Sequence, residues 1–499
     1  MKKYLVWIGA AVMVVALASP AAAQTATAWK SWGLGQIATY WMSKPDFGQG
    51  GYSSTGAVTT VGGATGYGYV PKVSQLGEDI TNRNITERFN FYLQYGDPKT
   101  VRAVIGFEAD SSNWGESGWT AQETTSASTG ATTSNPSGRF GTFRTDQPQL
   151  EIKWAFIEFV VPSTPVTVNA GLQGFYVGGR LFLSDDAPGL TVSADFAPHK
   201  ISAYWYRMRD VDPLTYNTDD MYGLQYQLSQ KLFNVYAYGF YRNGLAPTGA
   251  LVSGTGVAGV PAVMAPATVA DHPWWIGVGG GFRPGNWDFS GQFIYNGGKQ
   301  ESKVGGTDKD YTAWIVELMG AYRIGPGLKV ALEGYWATGN DADDTSKIKA
   351  WTYPNGTEAV WGMGNDRSVF FMYNGDFMYW NFKYLYTTGI WYGRANVEYN
   401  PLAWLNLNFN YLYFGDNAKG SGPKAGINSP TGAQQTKDED YIGSELNAIA
   451  KIKIYEGLYY NMGLGYFLPG AVYDHYTAGA KDRSPDNAWS FVTCLRYFF

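Results

Sequence analysis

From about residue 84 to the end of the chain, apolar and polar residues alternate one by one in segments of about ten residues, the period of a β-strand with different surroundings on its two faces. In TVRAVIGFEAD, Val101, Ala103, Ile105 and Phe107 share one face, and Arg102, Glu108 and Asp110 the other. WLNLNFNYLYF sets Leu405, Leu407, Phe409 and Tyr411 against Asn406, Asn408 and Asn410. YIGSELNAIAKIKI sets Ile442, Leu446, Ala448, Ala450, Ile452 and Ile454 against Glu445, Asn447, Lys451 and Lys453. The segments come in pairs joined by short turns and separated by longer polar stretches. The pairs are 83–95 with 100–110, 149–161 with 166–176, 190–197 with 200–209, and 221–229 with 231–241. They continue as 273–283 with 286–297, 311–323 with 328–338, 389–399 with 404–414, and 441–454 with 457–468, and 488–499 is a final strand. Short connections at one end and long ones at the other describe a transmembrane β-barrel with periplasmic turns and extracellular loops.

Single-chain bacterial barrels have an even number of strands, so one more is needed at the front, and GLGQIATYWM at 33–42 supplies it. The expected fold is all-β: a transmembrane antiparallel β-barrel of about 18 strands, with 16 as the alternative. Residues 24–499 form one barrel domain, with long loops at 43–80, 111–147, 242–272, 339–388 and 415–438. A soluble β-sandwich also alternates, but it turns its apolar face inward and keeps its loops short at both ends. Trp274, Trp275, Trp391, Tyr399, Trp404 and Trp489 near strand ends suit the aromatic girdles of the two membrane interfaces.

The first residues place Lys2 and Lys3 ahead of an apolar run from Tyr4 to Ala18 and then Ala21, Ala22 and Ala23, the pattern of a secretory signal peptide cleaved after Ala23. A spanning helix needs about 20 apolar residues, more than this run offers. Export followed by barrel assembly places the mature chain in the outer membrane, in contact with its lipid. Mean hydropathy is only -0.24, as it must be when lipid-facing and lumen-facing residues average out in any window. Losing Lys2 and Lys3 takes the net charge from -5 to -7, which argues against nucleic acid as a partner.

Cys494 is the one cysteine, so disulfides, cysteine-based zinc sites and C-x-x-C-H haem attachment all fail, and no cofactor is expected. The histidines, 199, 272 and 475, fall in segments read as a turn and two loops, and no strand assembles a nucleophile, base and acid; the chain is not expected to be an enzyme. About 55 residues before the hairpins are too few for the plug of an energy-coupled transporter.

Lumen-facing charge sets which solutes pass. The period of two assigns inward the bases Arg88, Arg102, Lys153, Arg323, Lys329, Arg394, Lys451, Lys453 and Arg496, and the acids Glu108, Glu151, Glu317, Glu333, Glu398 and Glu445. For each of these, pairing between neighbouring strands is as good an account as contact with solute. Arg102, Arg323, Lys329, Lys451, Lys453 and Arg496 lie near turns or the C-terminus. The loops hold Asp185, Asp186, Asp210, Asp212, Asp219, Asp220, Asp341, Asp343, Asp344, Asp438, Glu439 and Asp440. This arrangement suggests an acidic outer vestibule above a basic periplasmic rim, although solvated surface is the simpler account of the loop acids. DADD at 341–344 lacks the spacing and glycine of an EF-hand loop, so no metal site is expected there. The aromatic-rich stretch 369–386 either folds inward as a constriction or lies on the rim.

FVTCLRYFF puts Phe491, Leu495, Tyr497 and Phe499 on one face and ends on an aromatic residue. It resembles the C-terminal signal by which outer-membrane barrels are handed to the barrel-assembly machinery, and the resemblance implies that Leu495, Tyr497 and Phe499 form it. GSELNAIAKIKIYEGLYYNMGLGYFLPG at 443–470 and ATGND at 337–341 are similar to the alginate-export and porin-like superfamily of 18-stranded barrels. That likeness covers a small part of the chain and implies barrel type and size more than substrate.

The expected function is a porin: a water-filled channel for passive diffusion of small hydrophilic solutes and ions. An exporter of a polyanionic sugar would line its path with Arg and Lys, whereas here nine inward bases meet six acids. The alternatives are a substrate-specific channel or polysaccharide exporter, and a structural barrel supporting an outer-membrane partner such as the cytochromes of an extracellular electron-transfer complex. A homo-oligomer is compatible with each.

Overall fold

The computed structural model describes residues 29–44, 80–113, 150–179, 181–212, 217–246, 269–302, 306–341, 344–352, 354, 367–369, 389–417, 440–471 and 486–499, with short pieces at 124–125, 132–133, 251–252, 263–264, 475–477 and 480–483. The signal peptide and its cleavage after Ala23, most of the long loops, Asp343, Asp438, Glu439 and residues 370–386 lie outside the described residues.

Eighteen long strands form the wall. They are β1 (Lys30–Lys44), β2 (Ile80–Asp97), β3 (Val101–Asn113), β4 (Glu151–Val160), β5 (Val166–Val177) and β6 (Leu183–Phe196). Next come β7 (His199–Asp212), β8 (Asn217–Ser229), β9 (Phe233–Ala246), β10 (Val269–Phe282), β11 (Trp287–Ser302) and β12 (Ala313–Arg323). The last are β13 (Leu328–Ala337), β14 (Ile390–Leu402), β15 (Leu405–Asp416), β16 (Tyr441–Tyr455), β17 (Leu458–Pro469) and β18 (Ala488–Phe498). Each strand pairs antiparallel with the next, and β1 pairs with β18 from Leu34 opposite Phe498 to Ser43 opposite Trp489, which closes the barrel and removes its edges. Phe499 completes the seam: Gly33 N donates to its carbonyl at 2.9 Å, and its ring stacks on Phe89 at 5.7 Å. All of the hairpins expected from alternation are present, and 33–42 lies inside β1.

The barrel is inverted relative to a soluble protein. Leu224, Ile276, Leu318, Leu332, Phe409, Leu446 and Leu464 are exposed, whereas Glu333, Asn396, Asn410, Glu445 and Asn447 are buried. An exposed apolar band around a polar interior is stable only with lipid outside. Part of the loop-side girdle is a row across β12, β13 and β14, with ring centroids 6.5 Å apart for Trp314–Trp336 and 6.4 Å for Trp336–Trp391.

Three details differ from the alternation pattern. Strands extend beyond the apolar band: β6 begins at Leu183, β8 at Asn217 and β10 at Val269, so Asp185, Asp186, Asp219, Asp220 and His272 stand on strands and not in loops. Outside the bilayer a strand has no apolar face to mark it, which is why its polar ends look like loop. Trp275 is fully buried on the lumen side, so it is not a girdle residue. Ile442 is buried rather than lipid-facing, because a bulge beside Gly443 shifts the register between β15 and β16.

Glycines shape the inner wall. A Cβ at Gly277 would sit 2.1 Å from Tyr238, whose ring lies against the wall at that point. Gly277→Val should therefore destabilise the barrel by about 1–3 kcal/mol through forced displacement of that ring, measured by urea unfolding from detergent micelles.

Candidate functional site

The lumen face follows from the strand pairing, and all fifteen residues assigned inward share it. Most of them form ion pairs between strands. Glu333, with no exposed side-chain surface, is the centre of a cage on β12–β16. It accepts from Arg394 at 2.5 Å, from Tyr392 Oη at 2.7 Å and from Arg367 Nε at 3.0 Å. Arg367 also reaches Glu317 at 3.5 Å, and Arg394 donates to Asn410 at 2.8 Å. Arg367 is not a wall residue. It belongs to the long connection between β13 and β14, and the next two residues are bound to the wall with it: Ser368 Oγ and Val369 N each donate to Glu445 at 2.7 Å. Asn447 Nδ2 donates to the Arg367 carbonyl at 3.0 Å.

The same connection is gripped on a different part of the wall. Trp275 Nε1 on β10 donates to the Thr352 carbonyl at 2.9 Å, and Arg242 Nη1 on β9 donates to the Pro354 carbonyl at 3.2 Å. Arg242 is held by the buried Asp219 at 2.5 Å. The connection thus has one anchor on β9–β10 and another on β13–β16, with Trp351 and Val369 both buried in the core cluster of the lumen. The short connection between β5 and β6 also turns inward at Phe182, which is fully buried, its ring 4.6 Å from Tyr238, 5.1 Å from Phe240 and 6.0 Å from Trp275. Two inward segments meet at Trp275 and occupy part of the lumen. Charged groups line one side of it and aromatic rings the other.

The remaining assigned residues divide by height. Toward the loops, Lys153 bridges Glu108 at 2.8 Å and Asp186 at 3.2 Å, with Arg88 3.8 Å from Glu108, and Glu151 stands exposed opposite Glu108 in register. Toward the turns, Arg102 pairs with Glu158 at 2.7 Å, Arg323 with Asp288 at 3.3 Å, Lys329 with Glu398, and Lys453 with Glu456. Glu158, Asp288 and Glu456 were missing from the alternation reading, and they make this rim mixed rather than basic. Lys451 and Arg496 line a separate cavity beside the turn joining β16 to β17. The outer acids are likewise matched by bases: Asp219 by Arg242, Asp220 by Arg207, and Asp341 and Asp344 by Lys349. Those last two carboxylates, Asp344 foremost, raise the ammonium pKa of Lys349 above its ordinary value. These pairs offset part of the acidic charge at the outer end, and no group among the described residues is arranged to hold a metal ion.

Arg367, Ser368 and Trp275 are the residues that sequence reasoning missed. Arg242 was within reach, since it continues the inward series Tyr236, Tyr238, Phe240 along β9; the expected strand ended one residue short of it.

No protein-family model and no curated protein matches the chain. Among solved structures it is similar to Acinetobacter baumannii OccAB1, with 11% identity over 94% of this chain and 97% of that one, TM-score 0.48. It is also similar to OprD from Pseudomonas aeruginosa (10% identity, 94% and 93% covered, TM-score 0.46) and to Vibrio cholerae OmpT in its trimer form (9%, 95% and 100%, TM-score 0.37). These superpositions are too loose to transfer any property. The class rests on the barrel itself: closed, antiparallel, even in strand number, apolar outside and polar within, it has the build of a transmembrane β-barrel.

Proposed function

We propose that the barrel is a constricted channel through which small hydrophilic solutes and ions diffuse passively. The observation that carries this reading is the connection between β13 and β14, fixed inside the lumen at two places by buried polar groups. A barrel serving only as a sheath has no need of a built constriction in a polar interior. Charge of both signs at that constriction, with Glu317, Glu333 and Glu445 facing Arg367 and Arg394, favours hydrated small solutes over a polyanionic polymer.

The test is conductance of the purified full chain in planar bilayers across a salt gradient. Stable open steps with weak ion preference are expected; correctly folded protein that stays closed would overturn the proposal. Glu445→Ala removes the acceptor of Ser368 and Val369, so its open steps should be noisier and larger than those of the unaltered chain. A saturable dependence on one solute would instead point to a substrate-specific channel.

A further inference from the structure

One lumen row runs through the register of β9 to β12: Tyr236 stands opposite Gly279, Gly279 opposite Gln292, and Gln292 opposite Glu317. Gly279 contributes no side chain, and the Tyr236 ring fills its place. A Cβ there would meet Oη, Cζ and Cε2 of Tyr236 at 2.5, 2.6 and 2.9 Å, so the ring lies along the wall with one face against the strand and the other toward the lumen. Tyr238 lies nearly parallel to it, 6.3 Å away at 14°. A face of Tyr238 is already taken by Phe182, which stacks on it at 4.6 Å. Tyr236 is only partly buried, so its ring is the open continuation of that stack.

One amide holds both phenols: Tyr236 Oη donates to Gln292 Oε1 at 3.1 Å, and Gln292 Nε2 donates to Tyr238 Oη at 2.9 Å. The ring is thereby fixed before any solute arrives. Glu317 stands one strand spacing, about 4.8 Å, beyond Gln292. It keeps 20% of its side chain exposed while paired with Arg367. From the loop end, Gly178 and Gly179, with φ of 67° and 62°, carry the connection after β5 close to the same place. A Cβ on Gly179 would be 3.5 Å from Gln292 Oε1 and 3.7 Å from Tyr236 Oη, so bare backbone borders the site on that side.

We propose that this place is a subsite for the pyranose ring of a neutral sugar. A pyranose presents a face of C–H groups and a rim of hydroxyls, and the wall repeats that division with an aromatic face beside an amide and a carboxylate. A carboxylate has about four acceptor positions, so Glu317 accepts from a sugar hydroxyl while it stays paired with Arg367. A ring without hydroxyls could stack on Tyr236 too, but it would cover Gln292 and Glu317 without replacing their water, which costs affinity. One ring and two polar side chains hold a sugar loosely enough for it to leave, which keeps passage diffusive.

The subsite deepens the channel reading and rests on it for delivery of the solute, but binding can be measured without transport. The full chain in detergent is titrated calorimetrically with maltose, with sorbitol as an open-chain polyol, and with nicotinamide as a neutral aromatic ring. Saturable binding of maltose is expected, with none of sorbitol. Tyr236→Ala should bind maltose about tenfold more weakly, and Tyr236→Phe should stay within about threefold of the unaltered chain. Each variant is first shown to have the heat-modifiable gel mobility of a folded barrel, and Tyr236→Leu takes the place of alanine where that variant does not fold. No saturable binding of maltose, equal binding of sorbitol, or equal maltose binding by the folded alanine or leucine variant overturns the proposal. Binding of nicotinamide in place of maltose also overturns it, and assigns the ring to an aromatic solute. Open steps in potassium chloride are recorded on the same samples. Their absence would sink the diffusion channel while leaving the titration to decide the site.

Discussion

Glu333→Gln is expected to destabilise the folded barrel by about 3 kcal/mol and to release the inward connection from the β13–β16 wall. Glu333 has no exposed side-chain surface, Arg394 is only 7% exposed and Arg367 14%, so all three charges are largely out of water. Removing the carboxylate leaves two guanidinium groups facing each other with one acceptor withdrawn, and Tyr392 Oη loses its charged partner. Arg367 keeps part of its side chain exposed, which places the cost at the lower end of what breaking a buried pair incurs. Two measurements check it. Urea unfolding from micelles reads the stability loss, and planar-bilayer recording reads the release as larger open steps with more flicker. An unfolding midpoint and a step size both equal to those of the unaltered chain would show that the cage does not hold the connection.

The other anchor adds aromatic packing to its hydrogen bonds, and removal of its indole should cost about 3–5 kcal/mol. Trp275→Ala deletes the largest fully buried side chain among the described residues, leaving a cavity beside Phe182 and Phe240. It also removes the donor to the Thr352 carbonyl. Trp275→Phe separates the two effects: it keeps most of the ring and loses one hydrogen bond, for a cost of about 1 kcal/mol. If alanine and phenylalanine at this position unfold at the same denaturant concentration, packing against Phe182 contributes nothing and the hydrogen bond is the whole anchor. Because Trp275 touches both inward segments, its loss should disturb the lumen more widely than loss of Glu333. Trp275→Ala is accordingly expected to show several conductance levels where Glu333→Gln shows one enlarged level.

The strands were legible because a closed barrel imposes one rule on every residue of its wall. Lipid outside and water inside demand a period of two, and Val101 to Phe107 or Asn406 to Asn410 satisfy it without reference to anything distant. Rows of lumen charge follow from the same parity, which is how Glu333, Arg394, Glu445 and Lys451 were placed on the inner face from their positions alone. The rule stops where the bilayer stops: Asp185, Asp219 and His272 sit on strand ends beyond the apolar band, and there the alternation no longer distinguishes strand from loop. It also stops at a bulge, which is why Ile442 was assigned the wrong face.

The sequence by itself therefore determined the barrel, its strand pairs and the face of nearly every wall residue, since these depend on local alternation and on the two solvents the wall separates. Only the tertiary structure decided what fills the lumen. Arg367 meets Glu333, and Thr352 meets Trp275, across separations that no periodicity encodes. Closure of the sheet brings those groups into one space, and buried charges and indole N–H groups in that space must find partners wherever the chain can supply them.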